Sequence, residues 1–293
     1  MLEQTDVPLA PLTTLQLGGP AARLITVTTQ MELLEAVRVH PEAFVLGGGS
    51  NVVLPDRGLD EVVLIRTAGV TAERVEAGQD WDSFVAQCVD DGLAGLEVLS
   101  GIPGTVGASP IQNIGAYGGE VASVISSVRA YDRSRQQVVV LPAEQCGFSY
   151  RHSTFKAELR RWVILSVSFD LPTGHQSAPI AYAELADALG VELGQTAPTR
   201  AVRDAVLHLR RTKGMVVDPT DPDSVSAGSF FTNPVVDVPP EGAPAWPAPG
   251  GRFKVSAAWL IQQAGFTKGY GDGRVGLSSK HALALVNRGG GTS

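Results

Sequence analysis

The sequence predicts an α+β protein, and three observations carry that prediction. Apolar runs with strand character alternate with capped, one-sided helical segments through the first two thirds of the chain. Two of these runs flank a short polar turn, which makes an antiparallel hairpin. A long glycine-rich stretch, residues 100–121, then fits neither a helix nor a solvated linker. The 293 residues, 44% hydrophobic and 18% charged, supply enough material for a sizeable core and for two or three domains.

The elements follow in order. Leu24, then Ile25 and Val27 alternating with Thr26 and Thr28, reads as a strand, and Thr29 with Glu32 makes a capping box ahead of Leu33, Leu34 and Val37. Residues 44–46 form a second strand that runs into the corner Gly47, Gly48, Gly49, Ser50, Asn51, after which residues 52–54 read as another strand or the start of a helix. Residues 62–65 and 74–77 are strand-like, and Asp80 caps a helix with Phe84, Val85, Cys88 and Val89 on one face. Residues 128–131 and 137–141 flank the polar turn 132–135 as a hairpin, and 162–169 is a further strand with Val163, Leu165, Val167 and Phe169 on one face. Residues 181–189 and 199–211 read as helices, the second capped by Thr199. Its terminal Arg210, Arg211 and Lys213 suit the negative end of a helix dipole. The Pro- and Asp-rich residues 217–224 mark a domain boundary. Beyond it lie a proline-rich loop at 238–249, a helix at 256–264 and a last strand at 282–286.

Composition excludes several functions. A net charge of −7 with no basic stripe speaks against nucleic acid and anionic membranes as partners. No apolar run is long enough to span a bilayer and no signal peptide is evident, so the expected location is cytoplasmic. Cys88 and Cys146 have no metal-ligand spacing and read as buried packing, so no metal site is expected.

Chemistry gathers at four places. The corner at 47–51 fails the Rossmann fingerprint, since Val52 stands where the third glycine belongs, and it lacks the Gly-Lys-Ser/Thr of a P-loop. A backbone nest for phosphate survives, as does an ordinary glycine turn. The central stretch, with Gly101, Gly104, Gly107, Gly115, Gly118 and Gly119, exposes backbone to a large anionic ligand such as a nucleotide cofactor, or is an irregular buried loop. Residues 147–156 alternate aromatic, cationic and hydroxyl groups, as an anion-binding rim or a solvated loop would. Ser229 lies among small residues with no Gly-x-Ser-x-Gly and no evident His/Asp pairing, so it reads as a hydrogen-bond or proton donor, or as a turn serine.

Taken together, V-L-G-G-G-S-N, G-I-P-G-T-V-G-A-S-P-I-Q-N-I-G-A-Y-G, F-S-Y-R-H-S-T-F-K, R-T-K and S-A-G-S-F-F-T-N-P, in this order, closely resemble the UDP-N-acetylenolpyruvoylglucosamine reductase (MurB) family, from about residue 13 to 287. The resemblance implies an FAD-binding region of the vanillyl-alcohol-oxidase (PCMH) type, with subdomains at 1–66 and 67–212, and an α/β substrate domain at 213–293. It implies that NADPH reduces FAD and that hydride then passes to the enolpyruvyl methylene carbon of a UDP-sugar, yielding UDP-N-acetylmuramate for peptidoglycan, in a monomer.

Carried over by position, Leu46, Gly47, Gly48, Gly49, Ser50 and Asn51 would hold FAD. So would Gly101, Ile102, Pro103, Gly104, Val106, Gly107, Ser109, Pro110, Asn113, Gly115, Ala116, Tyr117 and Gly118 from the central stretch. Tyr182, Lys213, Asn233 and Lys254 would meet the substrate diphosphate. Arg151 would grip the carboxylate beside the developing carbanion and Ser229 would give the proton. The family pattern continues into another helix and a catalytic glutamate, whereas no Glu follows Glu241 here, so a missing C-terminal segment is expected. Two rival functions fit less of the pattern. One is an FAD oxidase of the same fold, which needs no diphosphate clamp; the other is a flavin-binding protein without turnover.

Overall fold

The computed structural model describes residues 1–271 and 273–293. Four strands make the first sheet: β1 (Leu2–Pro8), β2 (Pro20–Val27), β3 (Phe44–Leu46) and β4 (Leu59–Ile65), in the order β1-β2-β4-β3. β1 runs antiparallel to β2, while β2 and β3 both lie parallel to β4. The helix α1 (Gln30–Val39) connects β2 to β3 and buries Leu33, Ala36 and Val37. Its start is the predicted Thr29 cap, which accepts the Glu32 N–H at 3.2 Å. The Glu32 carboxylate reaches one residue further back than the motif requires, to the Thr28 N–H at 2.8 Å. Residues 52–54 are neither strand nor helix. Leu54 drops instead into a small core with Leu9 and Leu46, and that anchor leaves its backbone irregular.

The second sheet has the order β5-β10-β8-β9, all antiparallel, from β5 (Val75–Glu76), β8 (Ile125–Asp132), β9 (Gln137–Pro142) and β10 (Trp162–Phe169). Between β5 and β8 lies a small hairpin of β6 (Gly115–Ala116) and β7 (Gly119–Glu120). The predicted hairpin around residues 132–135 is β8–β9. The strand expected at 74–77 shrinks to two residues, because the chain turns at Gly78, whose backbone nearly touches Thr67. The helix α2 (Trp81–Asp90) starts at its Asp80 cap, with the Ser83 N–H at 2.8 Å, and buries Trp81 besides the four expected residues. It shares one core with α1 and residues of both sheets. Burial pushes the Cys88 thiol up to about 12 and Cys146 to about 11, so both stay protonated as packing groups.

The short α3 (Thr154–Ala157) is capped by Ser153. α4 is Ala183–Leu189, two residues shorter than expected, and α5 is Thr199–Thr212. Thr199 is not the cap: Pro198 holds that position, and the Thr199 N–H donates to the His175 carbonyl at 2.9 Å. The C-terminal part carries two three-stranded sheets. One has β11 (Ser226–Ser229) beside β16 (Ala284–Asn287), with β15 (Val275–Leu277) on the far edge. The other sets β14 (Arg252–Val255) between β12 (Val235–Val236) and β13 (Ala245–Ala248). β13 lies inside the stretch expected to be a proline-rich loop; as an edge strand it accommodates Pro247. Ser256 caps α6 (Ala257–Gln263). The buried Asn287 amide donates to the carbonyls of Leu15 and Gln16, tying the last strand to the loop before β2. Among the described residues no helix is long and apolar enough to cross a membrane.

Candidate active site at the glycine corner

The parallel pair β3–β4 ends at Gly47, and the corner that follows packs backbone to backbone against the central stretch. A Cβ at Gly48 would lie 2.6 Å from the Gly104 Cα, and one at Gly49 would lie 2.0 Å from the Leu12 carbonyl oxygen. Only glycine permits that approach, and Gly49 also has φ +64°. The Ser50 hydroxyl donates to the Pro103 carbonyl at 2.7 Å and so stitches the two predicted cofactor segments together. The N–H groups of Gly48, Gly49, Ser50 and Asn51 meet no acceptor among the described residues. Four unpaired donors on consecutive residues are what an anion-binding nest requires. Arg66 was not foreseen: its guanidinium donates to the Ile65 carbonyl at 2.9 Å and the Gly47 carbonyl at 3.3 Å, which brings a cation to the same corner.

The central stretch is braced by the first turn of α2. The Trp81 N–H donates to the Gly104 carbonyl at 3.1 Å, its indole to the Leu99 carbonyl at 3.0 Å, and the Gly101 N–H to the Asp82 carboxylate at 2.6 Å. Val106 and Gly107 close back onto the carbonyls of Gln79 and Ala77. Further along, buried Asn113 donates to Glu120 at 2.8 Å and to the Ser149 carbonyl at 3.1 Å. Its own carbonyl, with that of Gly115, accepts the Arg151 guanidinium. Asn113, Tyr117 and Arg151 all have φ between +48° and +55°. Left-handed backbone at three non-glycine residues of one neighbourhood is strain of the kind that collects at functional sites.

Two aromatic clusters link this region to the rest of the predicted site. Tyr117 meets Tyr182 edge to face at 5.5 Å, and the Lys213 ammonium lies 5.6 Å from the Tyr117 ring while pairing with Glu184. Burial pushes the Tyr117 phenol up to about 12, so it stays a neutral donor. Tyr150 sits between Arg151, at 5.6 Å, and the Lys254 ammonium of β14, at 4.7 Å. Asn233 makes a different contact, its side-chain oxygen accepting the Ala257 N–H at 2.9 Å as part of the α6 start. Ser229 ends β11 with its hydroxyl 3.4 Å from His281 Nε2. No local motif announced that histidine, because 52 residues separate the pair. Burial first, then the positive charge of Lys213 and Lys268, pulls His281 down to about 4, leaving it neutral at pH 7.

A glycine corner with four N–H groups unpaired among the described residues, packed against a second glycine-rich segment in an α+β frame, suits the class of proteins that bind a nucleotide cofactor. Comparison with known proteins makes the cofactor specific: residues 21–140 match an FAD binding domain, and residues 219–293 match the C-terminal domain of UDP-N-acetylenolpyruvoylglucosamine reductase. Reductases of that name from Thermobifida fusca and Cutibacterium acnes are 50% and 51% identical to the chain over 98% of its length, spanning 89% and 82% of theirs. The crystal structure of UDP-N-acetylenolpyruvylglucosamine reductase (MurB) from Thermus caldophilus aligns with a TM-score of 0.69 at 27% identity, covering 99% of this chain and 89% of that one. The chain therefore belongs to the UDP-N-acetylenolpyruvoylglucosamine reductase (MurB) family, and it is an FAD-dependent oxidoreductase of α+β fold.

Proposed function

We propose that this chain reduces UDP-N-acetyl-enolpyruvoylglucosamine to UDP-N-acetylmuramate with NADPH as hydride donor, and that the residues carried over from the family perform it. When bound, FAD supplies two-electron hydride chemistry, and the free N–H groups at 48–51 together with the 101–118 backbone suit its diphosphate and ring system. The division of labour follows as 1–66 and 67–212 for the cofactor and 213–293 for the substrate.

The observation that carries the reading is Arg151. Its guanidinium is steadied by two carbonyls of the cofactor stretch, Asn113 and Gly115, and a guanidinium has five N–H donors, so others remain for a ligand. A carboxylate held there would be polarised as charge builds on the neighbouring carbon during hydride addition. That same carbon then takes a proton, and Ser229, whose hydroxyl lies 3.4 Å from neutral His281, is the residue carried over for that role. Tyr182, Lys213 and Lys254 supply one phenol and two ammoniums for the diphosphate, with Asn233 offering its amide N–H groups. Arg151→Ala and Ser229→Ala should each slow the oxidation of pre-reduced enzyme by substrate roughly a hundredfold. Flavin reduction by NADPH should survive in both. Stopped-flow absorbance measures the two halves separately, and unchanged oxidation rates in both variants would defeat the assignment.

A further inference from the structure

Asp82 is a carboxylate set behind the backbone proposed above to hold an anionic cofactor. Its Oδ1 accepts the Gly101 N–H at 2.6 Å, so the charge lies directly against the backbone assigned to FAD. Left alone, that charge would oppose the cofactor's diphosphate. Arg203, on the second turn of α5, binds it with both guanidinium nitrogens, at 2.6 and 2.9 Å, and is itself largely buried. Burial pushes the Asp82 carboxyl up, but the bonds from Arg203 and Gly101 outweigh it and hold the group ionised below its ordinary value. Buried Arg210 adds a second cation from the same helix, its stem packed behind Gly101 and its Nη2 donating to the Met215 carbonyl.

We infer that Arg203 is a positioning residue for FAD: it neutralises Asp82, so that the carboxylate can orient Gly101 without repelling the cofactor. The two functions of Asp82 then separate cleanly. Its oxygen is needed to hold the Gly101 N–H, which an asparagine oxygen also does, whereas its charge is offset chiefly by Arg203, the cation in direct contact with it. The inference rests on the assignment of FAD to the 47–51 and 101–104 segments.

The test is a double-mutant cycle read by titrating apoprotein with FAD and following flavin fluorescence, with circular dichroism and thermal melting of each apoprotein as the measure of folding. Arg203→Met should weaken FAD binding about tenfold, the effect of one charge that has lost its direct partner in a partly wet site. Asp82→Asn alone should bind at least as tightly as the parent, and adding Asp82→Asn to Arg203→Met should restore most of the loss. A residue with a purely structural role would leave the double variant as weak as Arg203→Met or weaker, and that result overturns the inference. So does a tenfold loss in Asp82→Asn, which stands as a test even if Arg203→Met fails to fold. Gly48→Val serves as the control on the assignment itself. If it binds FAD normally, the cofactor lies elsewhere; if it loses FAD while the Asp82 and Arg203 variants follow no compensating pattern, only the role of Arg203 falls.

Discussion

At the residue scale the site depends on groups held in unusual states by their surroundings. His281 is the clearest case, because burial and nearby lysines keep it neutral beside Ser229. Its folded value of about 4 lies below the 6.5 of a free histidine, so the unfolded chain binds the extra proton first. Stability is therefore unaffected above pH 6.5 and falls as pH drops from about 6.5 through 4. Urea unfolding measured across that window should show the loss, on the order of 1–3 kcal/mol, and His281→Gln should flatten the slope. An unchanged slope in the variant would mean that other groups carry the acid response. A second residue-scale prediction concerns Trp81. Trp81→Phe keeps most of the packing yet leaves the Leu99 carbonyl unpaired, and should cost about 1–3 kcal/mol by thermal or chemical melting.

At the element scale the decisive contact is between two loops rather than between helices or sheets. The corner after β3 and the loop after Leu99 touch through Gly48 and Gly104 with no space for a methyl group. Gly48→Ala should force them apart and weaken FAD binding by tenfold or more, while the far-UV spectrum stays native because neither sheet is disturbed. The cap of α2 is coupled to the site through the residues that the helix braces. Asp80→Ala removes the acceptor for Ser83 N–H and should destabilise by about 0.5–2 kcal/mol; because α2 braces residues 99–104, a part of that loss should reappear as weaker FAD binding. Local signals read these elements well. The Thr29 and Asp80 caps stand where the sequence sets them, since capping is a contact over three residues. The boundaries that moved, such as Pro198 in place of Thr199 and the shortened β5, did so where a distant carbonyl or a glycine turn took over the hydrogen bonds.

At the scale of the whole molecule, few polar contacts among the described residues join the C-terminal sheets to the N-terminal part, and of these residues Asn287 is the most buried. Asn287→Ala strands the Leu15 and Gln16 carbonyls and removes the acceptor for Gly289 and Gly291. Limited proteolysis should then release the C-terminal part first, with the FAD spectrum retained; simultaneous loss of both would argue for a single cooperative unit instead. The sequence by itself determined the α+β class, the capped helices, the β8–β9 hairpin and the family, because strand alternation, capping and ordered motifs are written in residues close together along the chain. It also marked the glycine segments as backbone surfaces. Only the tertiary structure decided what those surfaces face: the stitch from Ser50 to Pro103, the seat of Arg151 on Asn113 and Gly115, the Asp82–Arg203 pair and the histidine beside Ser229. Each of these joins residues 36 to 121 positions apart, and no local pattern encodes a partner at that distance, since packing of separate elements chooses it.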